Sequence, residues 1–349
     1  MPSAGSRTKA VIFREHGGFD KLEYTEVDAP LALAGGVQVR VRATGLNRLD
    51  LWTLAGIEGV KIPLPHIGGS DIAGDISAVG EGAEGFSVGD RVVVNPSRWC
   101  GNCEYCKRGD ENYCPEYGII GEHVDGGFAE YFACPTKNLL RMPRGFPFED
   151  AAAAALVYQT AWRAVVSRGQ VKAGEWVLVT GASGAVSTAA IQIAKMSGAR
   201  VIATTSSEEK ARRARELGAE AVFNYKTQAY DKEVYKLTNK RGVNLIVDST
   251  GDVGWKPNLR CLARGGRLAV YGATTGNNPG AMINVLYWKQ ITVLGTTMGN
   301  VKDFEHVMGL VFARKLKPVI DSVRTMYLFM AAHERMQKGE QFGKIVMIP

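Results

Sequence analysis

The sequence predicts an α/β protein of two domains, one a barrel-like or sandwich array of short antiparallel strands and the other a parallel sheet covered on both faces by helices. Three observations carry this. The chain has 349 residues, 46% hydrophobic and 22% charged, which suits a globular protein of about two domains. Its first third consists of short alternating runs between Gly and Asp turn residues. From residue 176 onward, wholly apolar runs of strand length alternate with helix-like segments.

Taken in order, 9–13 is the first strand-like run, and 37–42 and 90–94 alternate as half-buried strands do, each bounded by turn residues. Near Glu149 the texture changes, and 151–166 is Ala-rich without Gly or Pro, which favours helix. The run 176–180 leads through a Gly/Ser turn into a helical stretch at 188–196, and 200–204 precedes a charged helix over 208–216. Further strands are expected at 221–223, 245–247 and 267–271, then at 291–294, with a helix over 302–315, Pro318 and a strand-like 344–348. Strands that are apolar throughout and separated by helices belong to a parallel sheet covered on both faces. The expected domains are 1–155 with 297–349, and 156–296. No internal repeat or low-complexity tract interrupts this pattern.

Residues 1–8 are small and polar rather than charged and then apolar, and the longest apolar run, 151–158, is far short of the ~20 residues that span a bilayer. A soluble cytoplasmic protein is expected, with no membrane partner. The formal net charge is +7, but the densest charged run, 208–216, alternates in sign and reads as a solvated helix face. The charge is dispersed, which argues against nucleic acid as the main partner.

Two motifs carry chemistry. The segment 177–190 reads strand, Gly-containing turn, helix: Gly181 permits a tight turn, Gly184 lets backbone approach a pyrophosphate, and the amides that follow, with Ser183, Ala185 and Val186, face an anion. Ser187 replaces the third glycine of the usual fingerprint. The second strand ends in Thr204, Thr205 and Ser206, with Lys210 soon after, where a site selecting NAD usually has a carboxylate. Hydroxyls and a cation there favour the 2′-phosphate of NADP(H). The second motif is Cys100, Cys103, Cys106 and Cys114, four of the six cysteines, on one loop. Four thiolates with no open position make a closed tetrahedral site, so one structural Zn2+ is expected. Cys134 and Cys261 stand apart and read as core residues.

The segments Ala43-Thr-Gly-Leu-Asn-Arg-Leu-Asp50, Gly68-Gly-Ser-Asp-Ile-Ala-Gly74, Val79-Gly-Glu-Gly82, the four-cysteine loop, the 177–190 turn and Gly343-Lys-Ile-Val346 together resemble the medium-chain dehydrogenase/reductase superfamily over nearly the whole chain. The resemblance implies a GroES-like barrel domain interrupted by a Rossmann domain, with the active site in the cleft between them. Zinc alcohol dehydrogenases of that family carry a second, catalytic metal, whose ligands would be Cys at 47, His at 70 and Cys or an acidic residue near 156. This chain has Asn47, Ser70 and Leu156, so the structural zinc is kept and the catalytic one lost. His66 reads as a structural residue.

Among relatives without catalytic zinc, the chain is similar to the quinone oxidoreductase and enoyl reductase branch. That likeness implies Asn47 beside the nicotinamide and substrate, with Trp52 as an apolar wall and Asp50 either catalytic or, as the simpler reading of a buried Asp, holding backbone amides. It further implies Thr160 at the nicotinamide, Gly272 and Ala273 along its passage, Lys344 at the pyrophosphate and Tyr225 near the 2′-phosphate. The expected activity is NADPH-dependent reduction of a quinone or α,β-unsaturated carbonyl substrate. The alternatives are an alcohol dehydrogenase with an atypical metal site and an NADPH-binding protein that is not an enzyme, crystallin-like or RNA-binding. The run 291–294, after Tyr287 and Trp288, is apolar enough to need a cover, and the resemblance implies that two such strands pair across a twofold axis, giving a homodimer or homotetramer.

Overall fold

The alternation at 37–42 belongs to a long strand, Gly36–Leu46, in the computed structural model, which describes residues 6–349. Val37, Val39 and Val41 turn into one core with Ile72, Ile76, Val92 and Val94. A register irregularity between Val41 and Ala43 then resets the pleat. Beyond it Leu46 joins a second core with Val11, Phe128, Ile345 and Met347. This strand is the spine of a seven-stranded sheet ordered Leu139–Arg141, Arg91–Val94, Asp71–Val79, Gly36–Leu46, Lys344–Ile348, Ile320–Thr325, with Tyr131–Pro135 also paired to it. A three-stranded sheet of Leu22–Asp28, Arg7–Phe13 and His66–Ile67 belongs to the same unit. That unit runs up to Leu156 and resumes over Asn300–Pro349. It is the GroES-like domain.

The second unit is Val157–Gly299. Its six strands are all parallel, in the order Ala221–Asn224, Arg200–Thr205, Trp176–Val179, Val243–Asp248, Leu262–Val270, Thr292–Gly295. Val177, Leu178, Val179, Leu245, Ile246 and Val247 are all fully buried, which is why these strands are apolar at every position rather than at alternate ones. Strand order reverses between Trp176–Val179 and Val243–Asp248, and ligands of such sheets bind at that reversal, beyond the C-terminal strand ends. This is the Rossmann domain. Among the described residues no helix is long and apolar enough to cross a membrane.

Several elements differ in extent from expectation. The Ala-rich helix is Phe148–Trp162 and then widens into a π turn, Arg163–Ser167, so the 3.6-residue repeat ends earlier than composition suggests. The glycine turn is followed by Ala185–Met196, a helix beginning one residue after Gly184. Thr292–Gly295 pairs on one side only, with Leu262–Val270, and so forms an edge of the sheet.

Candidate functional site

The four-cysteine loop is the plainest site. Its four sulfurs all lie within 4.8 Å of one another. Cys100 and Cys106 Sγ are 3.8 Å apart and Cys103 and Cys106 Sγ 3.4 Å. Zinc–sulfur bonds of ~2.3 Å in a tetrahedron space the sulfurs about 3.8 Å apart, so the cluster fits zinc. The loop also supplies amides suited to thiolates: Asn102 and Cys103 N–H each donate to Cys100 Sγ at 3.3 Å, and Cys100 N–H donates to Cys114 Sγ at 3.4 Å. The Asn102 and Cys103 amides hold the Cys100 thiol down to about 6. With four sulfurs and no open position the site staples its loop and performs no chemistry. Cys134 and Cys261 are buried elsewhere, and burial raises both thiols, Cys134 to about 12.

In the Rossmann domain, Gly181 takes φ 59° with nothing within 4 Å of where a Cβ would stand, and Gly184 caps the helix with its nearest such neighbour at 3.4 Å. Ser183, Ala185 and Val186 are half-exposed around them, and the first-turn amides have no acceptor within the helix. Ser187 is buried, and its hydroxyl donates to Thr180 O at 2.9 Å, closing helix on strand where a third glycine would. The residues fit a dinucleotide's pyrophosphate. Thr204 is buried and its hydroxyl accepts the Gly181 N–H at 3.2 Å, which fastens the strand end to the glycine turn. Ser206 is half-exposed just past the strand, Lys210 is in the first turns of Glu208–Glu216, and Tyr225 is exposed. The Tyr225 N–H donates to Thr205 O at 3.0 Å, placing that aromatic at the same strand end. Glu208, the nearest carboxylate in sequence, is engaged by Arg215 at 2.7 Å. Gly272 and Ala273 follow the C-terminal end of Leu262–Val270, and Thr160 is buried with its hydroxyl 3.6 Å from Met298 Sδ.

In the GroES-like domain the strand register assembles a third group. Gly45 stands opposite Asp71 on one neighbour and Val346 on the other. Lys344, two residues before Val346, is therefore level with Asn47, two after Gly45, and all four positions share one face. Gly45 leaves the space the others need: a Cβ there would lie 2.5 Å from Lys344 Cε and 2.9 Å from Asp71 Oδ2. Gly343, at φ 96° and with Val319 O 2.2 Å from any added Cβ, makes the turn that delivers Lys344. Asn47 Nδ2 donates to Asp71 Oδ2 at 2.7 Å, and Lys344 Nζ donates to Asn47 Oδ1 and Asp71 Oδ2, both at 2.5 Å. Asp71 Oδ1 accepts the Leu156 N–H at 2.7 Å. Asp71 and Lys344 are 0% and 1% exposed, so this is an ion pair removed from water.

Asp50 buttresses the group. It is buried, accepts the Asn47 N–H at 2.6 Å and the Gly69 N–H at 3.1 Å, and burial pushes its carboxyl up to about 7 against the pull of those amides. It holds backbone, which is an orienting role. Trp52, on the same short helix, Arg48–Ala55, is 37% exposed and makes no hydrogen bond or ring contact among the described residues. Lys344, which the resemblance implied at the pyrophosphate, has its ammonium against Asp71 and Asn47. His66 is fully buried with Nε2 3.1 Å from Gly121 O, and burial lowers its pKa, so it is a neutral structural imidazole.

Two residues escaped the sequence reading. Asp71 is the centre of the group, and part of its signal was available: Asp71 and Lys344 each stand at the head of a strand, and both are followed by buried apolar residues, Ile72 and Ala73 after the one and Ile345 and Val346 after the other. Arg48, beside Asn47, is half-buried, desolvation lowers its pKa, and no partner contacts it among the described residues. A guanidinium so placed can receive an anion.

The alcohol dehydrogenase GroES-like domain model matches residues 34–144 and the zinc-binding dehydrogenase model residues 185–313. The chain belongs to the zinc-type alcohol dehydrogenase-like medium-chain dehydrogenase/reductase superfamily. Human quinone oxidoreductase is 30% identical, with all of both chains covered. Acryloyl-coenzyme A reductase of Sulfurisphaera tokodaii is 32% identical, covering 94% of this chain and 96% of its own. A solved structure described as an NAD-dependent alcohol dehydrogenase superposes with a TM-score of 0.94 at 41% identity, covering 98% of this chain and 99% of the other. This medium-chain family member is thus an oxidoreductase with a four-cysteine metal site.

Proposed function

We propose that the chain is an NADP(H)-dependent reductase that transfers hydride to quinones or α,β-unsaturated carbonyl compounds without a catalytic metal. One observation carries the reading: the positions that would supply a catalytic zinc hold Asn47, Ser70 and Leu156, and Asn47 is bound into an internal amide–ammonium–carboxylate group. A Leu side chain offers no ligand atom, and the Asn47 oxygen already accepts from a cation. Among the described residues the cysteine loop is the only group of three or more Cys, His, Asp or Glu that could hold a metal. An enone or quinone is electrophilic before it binds, so a hydrogen-bond donor for its developing oxyanion suffices. A bound nicotinamide would supply hydride, and Gly181, Gly184 and the amides of 185–187 would receive its pyrophosphate. Ser206, Lys210 and Tyr225 favour the 2′-phosphate. Names of relatives point both ways, since reductases and alcohol dehydrogenases stand side by side.

NADPH consumption by the purified protein with a quinone, an enone and an aldehyde tests this. Turnover of quinone or enone without aldehyde is expected. Aldehyde reduction alone would support the alcohol dehydrogenase reading, which requires a second metal. We further propose a homodimer through the edge strand Thr292–Gly295, where Val293 is 42% exposed beside Tyr287 and Trp288, 68% and 66% exposed. Val293→Lys should halve the mass seen by light scattering, and an unchanged mass would contradict the pairing.

A further inference from the structure

We infer that the GroES-like domain carries a second small-molecule site, a cleft that takes an aromatic carboxylate and, when filled, braces the stem of the cysteine loop. The inference is independent of the reductase reading: every residue lining the cleft belongs to this one domain, and none to the Asn47–Asp71–Lys344 group. Strand Tyr131–Pro135 pairs along one edge, with Gly36–Leu46, and among the described residues no strand covers the other. That second edge begins beside Arg7–Phe13, where Ala129 bridges Ala10 and the Glu130 N–H donates to Lys9 O at 3.0 Å. Beyond Glu130 no further bridge joins the two segments among the described residues. A cleft of about 560 Å³ is lined there by Thr8 and Val27 on one side and by Tyr131 to Pro135 on the other. That size suits a small ligand held by apolar walls and oriented by a few polar groups. Trp99, Phe132, Pro63 and Pro65 give the walls flat apolar faces, which match a planar aromatic ring.

Charge selects the carboxylate. Two cations line the cleft, Arg98 and Lys137. Lys137 is fixed, its Nζ donating to Trp99 O at 2.6 Å and standing 5.0 Å from the Trp99 ring centroid. Arg98 is exposed and has no anionic partner among the described residues. Of the two acids on the walls, Asp28 is paired with Arg7 at 2.8 Å, and Asp125 accepts the Ile67 N–H at 2.9 Å. With Asp28 neutralised the cleft is net positive, and the Arg98 guanidinium offers a carboxylate two parallel N–H donors. The floor is the stem of the cysteine loop, since Trp99 directly precedes Cys100. Two lining residues already tie that stem to the strand side: Lys137 through Trp99 O, and Asn138, whose Nδ2 donates to Asn95 O at 2.9 Å and Ser97 O at 2.7 Å. A ligand held between Arg98 and Tyr131–Pro135 adds a tie across the same gap. It binds only while the stem is in place, so it opposes the opening through which zinc leaves.

Calorimetric titration of the zinc-loaded protein with 2-naphthoate, and with 2-naphthamide as its uncharged analogue, tests the site. Naphthoate should bind with a Kd of about 1 mM or below, as expected for a ligand of that size, and equally with and without saturating NADP+. Naphthamide should bind about fivefold more weakly, the most that a partly open ion pair contributes. Arg98→Ala, at an exposed position, should bring naphthoate to the level of the amide and leave the amide unchanged. Ala133 is half-buried on the strand face opposite Phe132 and Cys134, and Ala133→Trp should fill the cleft and abolish binding of both compounds with zinc content unchanged. With naphthoate at ten times its Kd, zinc transfer to an excess of the chelator 4-(2-pyridylazo)resorcinol should slow about tenfold, and Ala133→Trp should remove that effect. Absence of binding, naphthoate that binds no better than its amide, or affinity that survives both substitutions would overturn the site. An unchanged rate of zinc release with naphthoate bound would overturn the bracing.

Discussion

Two clusters in one domain solve the same problem in opposite ways. The cysteine loop presents four sulfurs at zinc spacing, most of them only half-buried, with backbone amides turned toward them, and it is incomplete without an external cation. The Asn47–Asp71–Lys344 group is sealed from water and carries its own cation on a side chain. One gains rigidity from a metal it borrows, and the other from an ion pair made by its own side chains. A family trait such as zinc binding therefore has to be argued site by site within a single chain.

The largest expected effect breaks the first cluster. Cys114→Ser removes a buried ligand, and since structural zinc sites contribute on the order of 10 kcal/mol to folding, zinc content should drop from one per chain to none. The melting temperature should fall by roughly 10 °C or more at 2–4 °C per kcal/mol, with the loop absorbing part of the loss. Next comes Gly45→Val, whose Cβ would lie 2.5 Å from Lys344 Cε. Activity should fall on the order of 100-fold with one zinc per chain retained. A variant that kept full activity would show that the buried pair is dispensable.

The smallest effect concerns pH, and the buried carboxyls of the domain and its cysteine loop should respond with opposite sign. Burial pushes the Asp50 carboxyl, and Glu122 on the loop after Gly121, up to about 7. A carboxyl whose folded value lies above its unfolded value near 4 stabilises fully below pH 4, and that contribution is lost as pH rises through 7. The cysteine loop instead weakens in acid, because its thiolates must stay deprotonated to hold zinc. Glu122→Gln should thus raise the melting temperature at pH 8 by a few degrees, about 2–4 °C for each kcal/mol, and leave it unchanged at pH 4. Equal shifts at both values would contradict the assignment.

The fold was legible because its signals are local. Buried parallel strands such as Val177 to Val179 are apolar at each position, and the four cysteines fall within one loop. The Asn47–Asp71–Lys344 group was only partly legible. Asn47 could be named from its own segment, but Asp71 and Lys344 come from other segments, Asn47 and Lys344 standing 297 positions apart. Only the register of Gly36–Leu46 between its two neighbours brings them together, and one residue of slip would turn them to opposite faces. The inward turn of Thr204 was likewise hidden, because a hydroxyl at a strand end looks the same in sequence whether it bonds the Gly181 amide or a ligand.

The central claim is that hydride transfer proceeds here with one zinc per chain, none of it at the substrate. The most direct measurement is zinc content by atomic spectroscopy on protein whose NADPH-linked reduction of an enone is followed before and after treatment with dipicolinate. One zinc per chain, with the rate unchanged until the cysteine-bound metal itself is lost and the protein unfolds, is the predicted result. Two zincs per chain, with activity lost alongside the more labile one while the fold persists, would contradict it.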